Sequence, residues 1–209
     1  MTDALVIVFV KNIKLGTVKT RLAKTIGDYG AFEVYSELVK ITEKATLEVD
    51  VDTRIYFSNA VVDTKWPNTF KTIQNGADLG ERMLNAFKDG FEAGYKRIVL
   101  IGSDLPDINS SHIKKGIDAL KNNTIVFGPA EDGGYYLIGL SQLKESVFVN
   151  KPWSQSNLLE ITLKELEKQQ TKVGILNTLN DIDTYEDLIA SDFYKSNKKL
   201  QEKIQQLND

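Results

Sequence analysis

The sequence contains no cysteine, which excludes both a disulfide framework and thiolate chemistry and accords with a reducing compartment. It has a single histidine, His112, expected on an exposed helix and without a clear catalytic role, so carboxylate and metal chemistry fits better than a histidine-based triad. No apolar run approaches the roughly 18 residues of a membrane-spanning helix. The first run, Leu5 to Val10, is too short for a signal-peptide core and follows no basic region, so a soluble cytoplasmic protein is expected. An excess of positive charge is missing too: 26 basic against 29 acidic residues leave a net charge of −3, and bulk electrostatics give no reason to expect nucleic-acid binding. Repeats, low-complexity segments and Pro/Gly-rich linkers are absent. With 209 residues, 42% of them hydrophobic, the chain is expected to form one domain over residues 1–209.

What is present is an alternation of apolar runs and helical patterns. Strands are expected at Leu5–Val10, Thr53–Phe57, Thr69–Gln74, Arg97–Ile101, Thr124–Gly128, Tyr136–Gly139 and Lys172–Leu176. Several are continuous β-branched stretches, as in strands covered on both faces. Between them, Ala31, Tyr35, Leu38, Thr42 and Ala45 mark one helical face, and Met83, Leu84, Phe87 and Phe91 another. Leu158, Leu159, Thr162, Leu163 and Leu166 mark a third, and Phe193, Leu200, Ile204 and Leu207 suggest a terminal helix lying on the domain. Strand alternating with helix implies βαβ units and a mostly parallel sheet between helical layers.

Three aspartates, Asp104, Asp132 and Asp183, each closely follow one of these apolar runs. Residues just past the carboxyl ends of parallel strands gather on one sheet edge, where ligands bind, so carboxylates far apart in sequence can line one pocket. After the first run, a loop from Lys11 turns at Gly16 and enters a helix near Val18, with Lys19 and Arg21 in its first turn. Cations there oppose the helix dipole unless an anion is present, which points to phosphate; otherwise they are surface charges of an amphipathic helix. The loop has neither the Walker pattern nor Gly-x-Gly-x-x-Gly, so P-loop NTPase and Rossmann dehydrogenase readings lose their main support.

Five ordered blocks carry a resemblance that covers nearly the whole chain. They are Phe9 to Leu22, Gly76 to Met83, Gly102-Ser103-Asp104-Leu105-Pro106, Phe127 to Tyr136 and Asp181 to Leu188. The chain resembles a bacterial group of small glycosyltransferase-like proteins in the nucleotide-diphospho-sugar transferase superfamily, often filed as a domain of unknown function. Ile13 stands where that group usually has proline. The resemblance implies a GT-A-like, three-layer α/β/α sandwich around a mixed, mostly parallel sheet. It also implies a nucleotide-sugar donor and a small-molecule or glycan acceptor.

By that resemblance Asp104 holds a divalent metal, Mg²⁺ or Mn²⁺, with help from Asp183 or Asp181. The usual Asp-x-Asp is absent, since Ser103 precedes Asp104. Asp104 also suits a cap or turn before Pro106, and Asp183 the start of a helix. Asp132, beside Gly133 and Gly134, is positioned to take a proton from an acceptor hydroxyl or to form a tight hairpin turn. Lys11, Gly16, Lys19 and Arg21 form the phosphate loop, and Tyr135 or Trp153 walls the sugar or acceptor. Gln74, Asp78 and Arg82 are a weaker set: Gln74 reads the base or ends a strand, and Asp78 caps the helix carrying Arg82. The expected reaction is metal-dependent glycosyl transfer. Nucleotidyl transfer is the alternative, because Lys19-Thr20-Arg21-Leu22 and Asp104-Leu105-Pro106 also resemble phospholactate guanylyltransferases. A non-catalytic binding module on the same fold is the third reading.

Overall fold

A computed structural model describes residues 2–208. Seven strands run β1 (Ala4–Val10), β2 (Asp52–Phe57), β3 (Phe70–Ile73), β4 (Arg97–Ile101), β5 (Ile125–Pro129), β6 (Tyr135–Leu140) and β7 (Val173–Ile175). They form one sheet in the order β3-β2-β1-β4-β6-β5-β7. Every pairing is parallel except those of β6, which runs antiparallel to both β4 and β5. The mixed, mostly parallel sheet is thus as expected, with strand boundaries shifted by a residue or so.

The helices are α1 (Thr20–Leu47), α2 (Leu79–Glu92), α3 (Ser110–Ala119), α4 (Leu158–Lys168), α5 (Tyr185–Ala190), α6 (Asp192–Ser196) and α7 (Lys198–Asn208). β1 shows why the sheet needs cover on both faces. Its side chains alternate: Val6, Val8 and Val10 enter one core with Tyr35 and Val39 of α1 and Ile113 of α3, while Leu5, Ile7 and Phe9 enter another with Met83 and Phe87 of α2 and Leu166 of α4. Two-sided burial demands the unbroken apolar run seen in the sequence.

A third cluster joins Leu22, Val34 and Leu38 of α1 to Leu188, Leu200 and Ile204. The expected terminal helix, marked from Phe193 onward, is here two helices, α6 and α7, because Asn197 (φ −102°, ψ 74°) interrupts the pattern with non-helical backbone. The first long helix also departs from expectation. It begins at Thr20, after Lys19 has taken a left-handed conformation (φ 47°, ψ 48°), and it breaks again at Gly27 (φ 73°, ψ 164°). Thr20 through Ile26 therefore form a short helical segment, separated at Gly27 from the long segment that packs on the sheet.

Candidate functional site

The carboxyl ends of β1, β4 and β5 point to one edge, and the loops there are tied together by backbone bonds. Leu179 N–H donates to Pro129 O at 3.1 Å, Glu131 N–H to Leu179 O at 3.3 Å, and Ile182 N–H to Asp104 O at 3.4 Å. The segment following β7 is thereby laid across the ends of β5 and β4, which brings Asp181 and Asp183 to Asp104.

Lys19 sits in the middle of these carboxylates. Its Nζ lies 3.1 Å from Asp104 Oδ2 and 3.8 Å from Asp183 Oδ1, with its side chain only 7% exposed. Burial works against its charge, but Asp104, Asp181 and Asp183 outweigh that and hold the ammonium above its ordinary range. Arg21 Nη1 pairs with Asp183 Oδ2 at 2.9 Å. The left-handed Lys19 backbone, an uncommon state for a side chain of this size, is thus associated with delivery of its amine to the acidic loops.

Asp181 is the carboxylate at which the surplus negative charge shows. Burial, then Asp104, Asp132 and Asp183, push it up to about 6, with Lys19 as the opposing influence. A carboxyl whose folded value exceeds its ordinary 3.8 binds its proton more tightly folded than unfolded, so unfolding free energy falls as pH rises from about 4 to about 6. Removing the charge should relieve this. Asp181→Asn is expected to gain stability over the wild type progressively across that window, by about 1–2 kcal/mol once solvent screening is allowed for. Urea denaturation at pH 4 and pH 7 checks it; a difference between the two proteins that does not change with pH would show that Asp181 is not raised.

Asp104, Asp132 and Asp181 all line a cavity of about 360 Å³, whose remaining walls include Phe9, Met83, Leu100, Tyr135, Trp153 and Leu158. Asp132 sits in the turn between antiparallel β5 and β6, and its Oδ1 accepts from Gly134 N–H at 2.8 Å. The hairpin and site readings of this motif therefore hold together. Gly133 takes φ +89°, and an added Cβ would fall on the Ser156 carbonyl. Its own carbonyl accepts from Leu159 N–H at 3.0 Å, docking the Asp132 turn onto the segment that carries Trp153.

Not every expected residue is gathered. Asp183 engages the two cations but does not line the cavity; Asp181 does. Gln74 spends its amide on Tyr56 O at 3.0 Å. Asp78 caps α2 by accepting from Glu81 N–H, and Arg82 Nε donates to Gly76 O, so this set shapes the β3–α2 turn and does not itself line the cavity. Lys11 is exposed, and Gly16 turns with φ +74°. Of the tyrosines, Tyr136 is buried with its hydroxyl donating to Asn177 O, while Tyr135 packs on Phe127 with a buried hydroxyl that finds no partner. His112 is half-buried on α3 rather than exposed, with an unpartnered Nδ1.

One contributor carried no sequence signal. Tyr35, on the long part of α1, shares a 2.8 Å hydrogen bond with Ser103 and accepts from Lys11 N–H at 3.0 Å. It pins the loop after β1 to the loop after β4, yet in sequence it is only another residue on an apolar helical face.

The all-oxygen character of the acidic loops and their surplus negative charge suit a hard divalent cation. Among the described residues, however, no three acidic or histidine side chains converge as a metal-ligand set. A metal here would draw one or two carboxylates from the protein and its other ligands from phosphate and water, a common arrangement for Mg²⁺.

Comparison with known proteins places this geometry. A structure from Desulfovibrio desulfuricans G20, provisionally described as a nucleotide-diphospho-sugar transferase, is 28% identical, with 99% of each chain covered and a TM-score of 0.85. The 4-diphosphocytidyl-2C-methyl-D-erythritol synthase of Anaerococcus prevotii DSM 20548 shares the fold at 11% identity, covering 93% of this chain and 97% of its own, with a TM-score of 0.59. So does Rv0371C of Mycobacterium tuberculosis H37Rv, in complex with manganese, at 14% identity, 90% and 97% coverage and a TM-score of 0.53. A search of curated proteins finds no match. The family model for "Uncharacterized protein conserved in bacteria (DUF2064)" matches residues 41–155. That match takes in more than half of the sequence, and the chain belongs to this bacterial family, on the fold of the nucleotide-diphospho-sugar transferases and cytidylyltransferases.

Proposed function

We propose that the protein, which we read as one domain, is an enzyme that transfers a glycosyl group from a nucleotide-diphospho-sugar to an acceptor hydroxyl. The observation that carries this reading is the division of the site. Lys19 and Arg21 stand on one side of Asp104 and Asp183, while among the described residues no lysine, arginine or histidine lines the cavity shared by Asp104, Asp132 and Asp181. A diphosphate belongs with the cations. The partner in the cavity is then uncharged, as an acceptor alcohol is and as the phosphorylated substrate of a nucleotidyltransferase is not.

In the transfer, the acceptor oxygen bonds to the anomeric carbon, whose bond to the diphosphate oxygen breaks with its electron pair leaving on the nucleoside diphosphate. Asp132 accepts the acceptor proton, and Lys19 and Arg21 stabilise the negative charge of the leaving group. Asp104, with Asp181 or Asp183, would hold Mg²⁺ or Mn²⁺, which supplies further positive charge to the diphosphate; the manganese of the mycobacterial structure accords with such use of this fold. Tyr35 keeps the two loops in register during the exchange of partners.

Nucleotidyl transfer is the second reading, favoured by the likeness of fold to a cytidyl-transferring synthase. The test is thermal stabilisation by nucleoside diphosphates, nucleotide sugars and triphosphates, with and without Mn²⁺, together with a pyrophosphate assay. Stabilisation by a diphospho-sugar without pyrophosphate release is the expected result. Pyrophosphate release from a triphosphate would overturn glycosyl transfer in favour of the second reading.

A further inference from the structure

The cavity beside Asp132 has a composition that narrows its occupant. Its floor is made by side chains from strand ends, Phe9 of β1, Leu100 of β4 and Ile138 of β6, and its walls by Leu79 and Met83 of α2 and Leu158 of α4. Apart from the three aspartates, its polar side chains are those of Ser154, Gln155, Tyr136 and Tyr135, and the Tyr135 hydroxyl is buried without a partner. The Tyr136 hydroxyl is spent on Asn177 O. The three aspartates can accept from only some hydroxyls of a fully hydroxylated sugar, and those set against Phe9, Met83, Leu100 and Ile138 would be left unpaired, which is costly.

The remaining wall, Trp153, is built into place. An added Cβ on Gly80 of α2 would lie 2.7 Å from the Trp153 ring, so only glycine lets the indole lie against the helix backbone. The segment is bracketed by Asn150 (φ 55°) and Ser154 (φ 65°), both in an uncommon left-handed conformation. The buried amine of Lys151 pairs with Glu165 of α4, anchoring it from behind. Gly133 fits against Ser156 from the other side. A flat aromatic wall held by three neighbours is a preformed binding surface.

We propose that this cavity takes an uncharged, largely apolar alcohol as acceptor, its ring or chain against Trp153 and its hydroxyl at Asp132. Asp132 Oδ1 is committed to Gly134 N–H, and its second oxygen has no hydrogen-bond partner among the described residues, leaving it for that hydroxyl. The volume, about 360 Å³, exceeds the roughly 150 Å³ of an apolar cavity that binds benzene, so it admits a ring with a side arm. This inference names the acceptor class of the transferase reading and rests on it.

The chain has two tryptophans, and Trp66 is fully buried with its indole N–H bonded to Thr46, so fluorescence can isolate Trp153. The probe is 4-nitrobenzyl alcohol, an aromatic alcohol that quenches indole, titrated in parallel with UDP thermal shifts. Saturable quenching is expected in the wild type and absent in Trp153→Phe. Leu79, 45% exposed at the first position of α2, lies outside the core clusters, and an acid is welcome at a helix start, so glutamate there leaves the fold intact. Leu79→Glu should weaken the probe at least about tenfold, because it places a charge beside the apolar ring, while UDP still stabilises the variant. Linear quenching that is identical in Trp153→Phe would overturn the proposal, as would displacement of the probe by glucose or cytidine. If the probe binds as expected but no nucleotide stabilises the protein, the apolar pocket stands and the transferase reading falls.

Discussion

Lys19→Ala is expected to weaken binding of a nucleoside diphosphate by roughly 10- to 150-fold, the equivalent of about 1.5–3 kcal/mol for one charge-assisted phosphate contact. Three features make Lys19 the choice. It is buried, it lies at the crossing of the loops after β1, β4 and β7, and its backbone is held left-handed. Its amine neutralises Asp104 and Asp183, and in the proposed transfer the same amine stabilises the diphosphate. The substitution has a second expected effect. Lys19 is what holds Asp181 down, so Asp181 should titrate above about 6 in the variant. Isothermal titration with UDP, and carboxyl chemical shifts followed against pH, measure the two effects. Unchanged UDP affinity would remove the phosphate assignment, and an unmoved Asp181 would show that the cluster is not coupled through Lys19.

Gly133→Ala is expected to cost about 3 kcal/mol or more, because two penalties add: a left-handed backbone that disfavours a side chain, and a Cβ directed onto the backbone carbonyl of Ser156. For a chain of this size that corresponds to a fall in Tm of roughly 6–12 °C. Gly134→Ala is the matched control. Its added carbon would meet only the end of the Asp132 side chain, at 3.2 Å from Oδ1, and its backbone is not left-handed. It should cost less than about 1 kcal/mol. Thermal unfolding of the pair separates the explanations: equal losses would mean that the Asp-Gly-Gly turn as a whole, and not the seat of Gly133 on the Trp153 segment, sets the stability. Refilling the Gly133 contact is the sharper lesion, since it pushes the Asp132 turn away from the wall of the cavity.

Some of the site was legible before the fold. Asp104 and Asp132 each stand just past an apolar run, and in a sheet with parallel β1, β4 and β5 that position alone brings them to one edge. Lys19 and Arg21 stood out in the sequence because cations at a helix start are unfavourable without an anion; in the structure the anions beside them are the carboxylates of Asp104 and Asp183. The choice between Asp181 and Asp183 was not, since two residues apart in a loop they differ only in direction. The backbone bond from Ile182 to Asp104 decides it, turning Asp181 to the cavity and Asp183 to Arg21. Gln74 and Arg82 look like ligand groups in sequence, but the backbone carbonyls of Tyr56 and Gly76 reach them first.

What the sequence determined by itself was therefore the order of strands and helices, their two-sided burial and the identity of the charged loops, because periodicity and strand ends are local properties. The tertiary structure alone decided three things: that Lys19 neutralises carboxylates 85 and 164 positions away, that Tyr35 latches two loops, and that the Asp132 cavity sets three carboxylates among apolar side chains with no cation among the described residues. Each depends on which side chains meet across the sheet edge. That is set by the reversed strand β6, the break at Gly27 and the seats cut for Trp153 and Ser156 at Gly80 and Gly133, and no window of neighbouring residues encodes it.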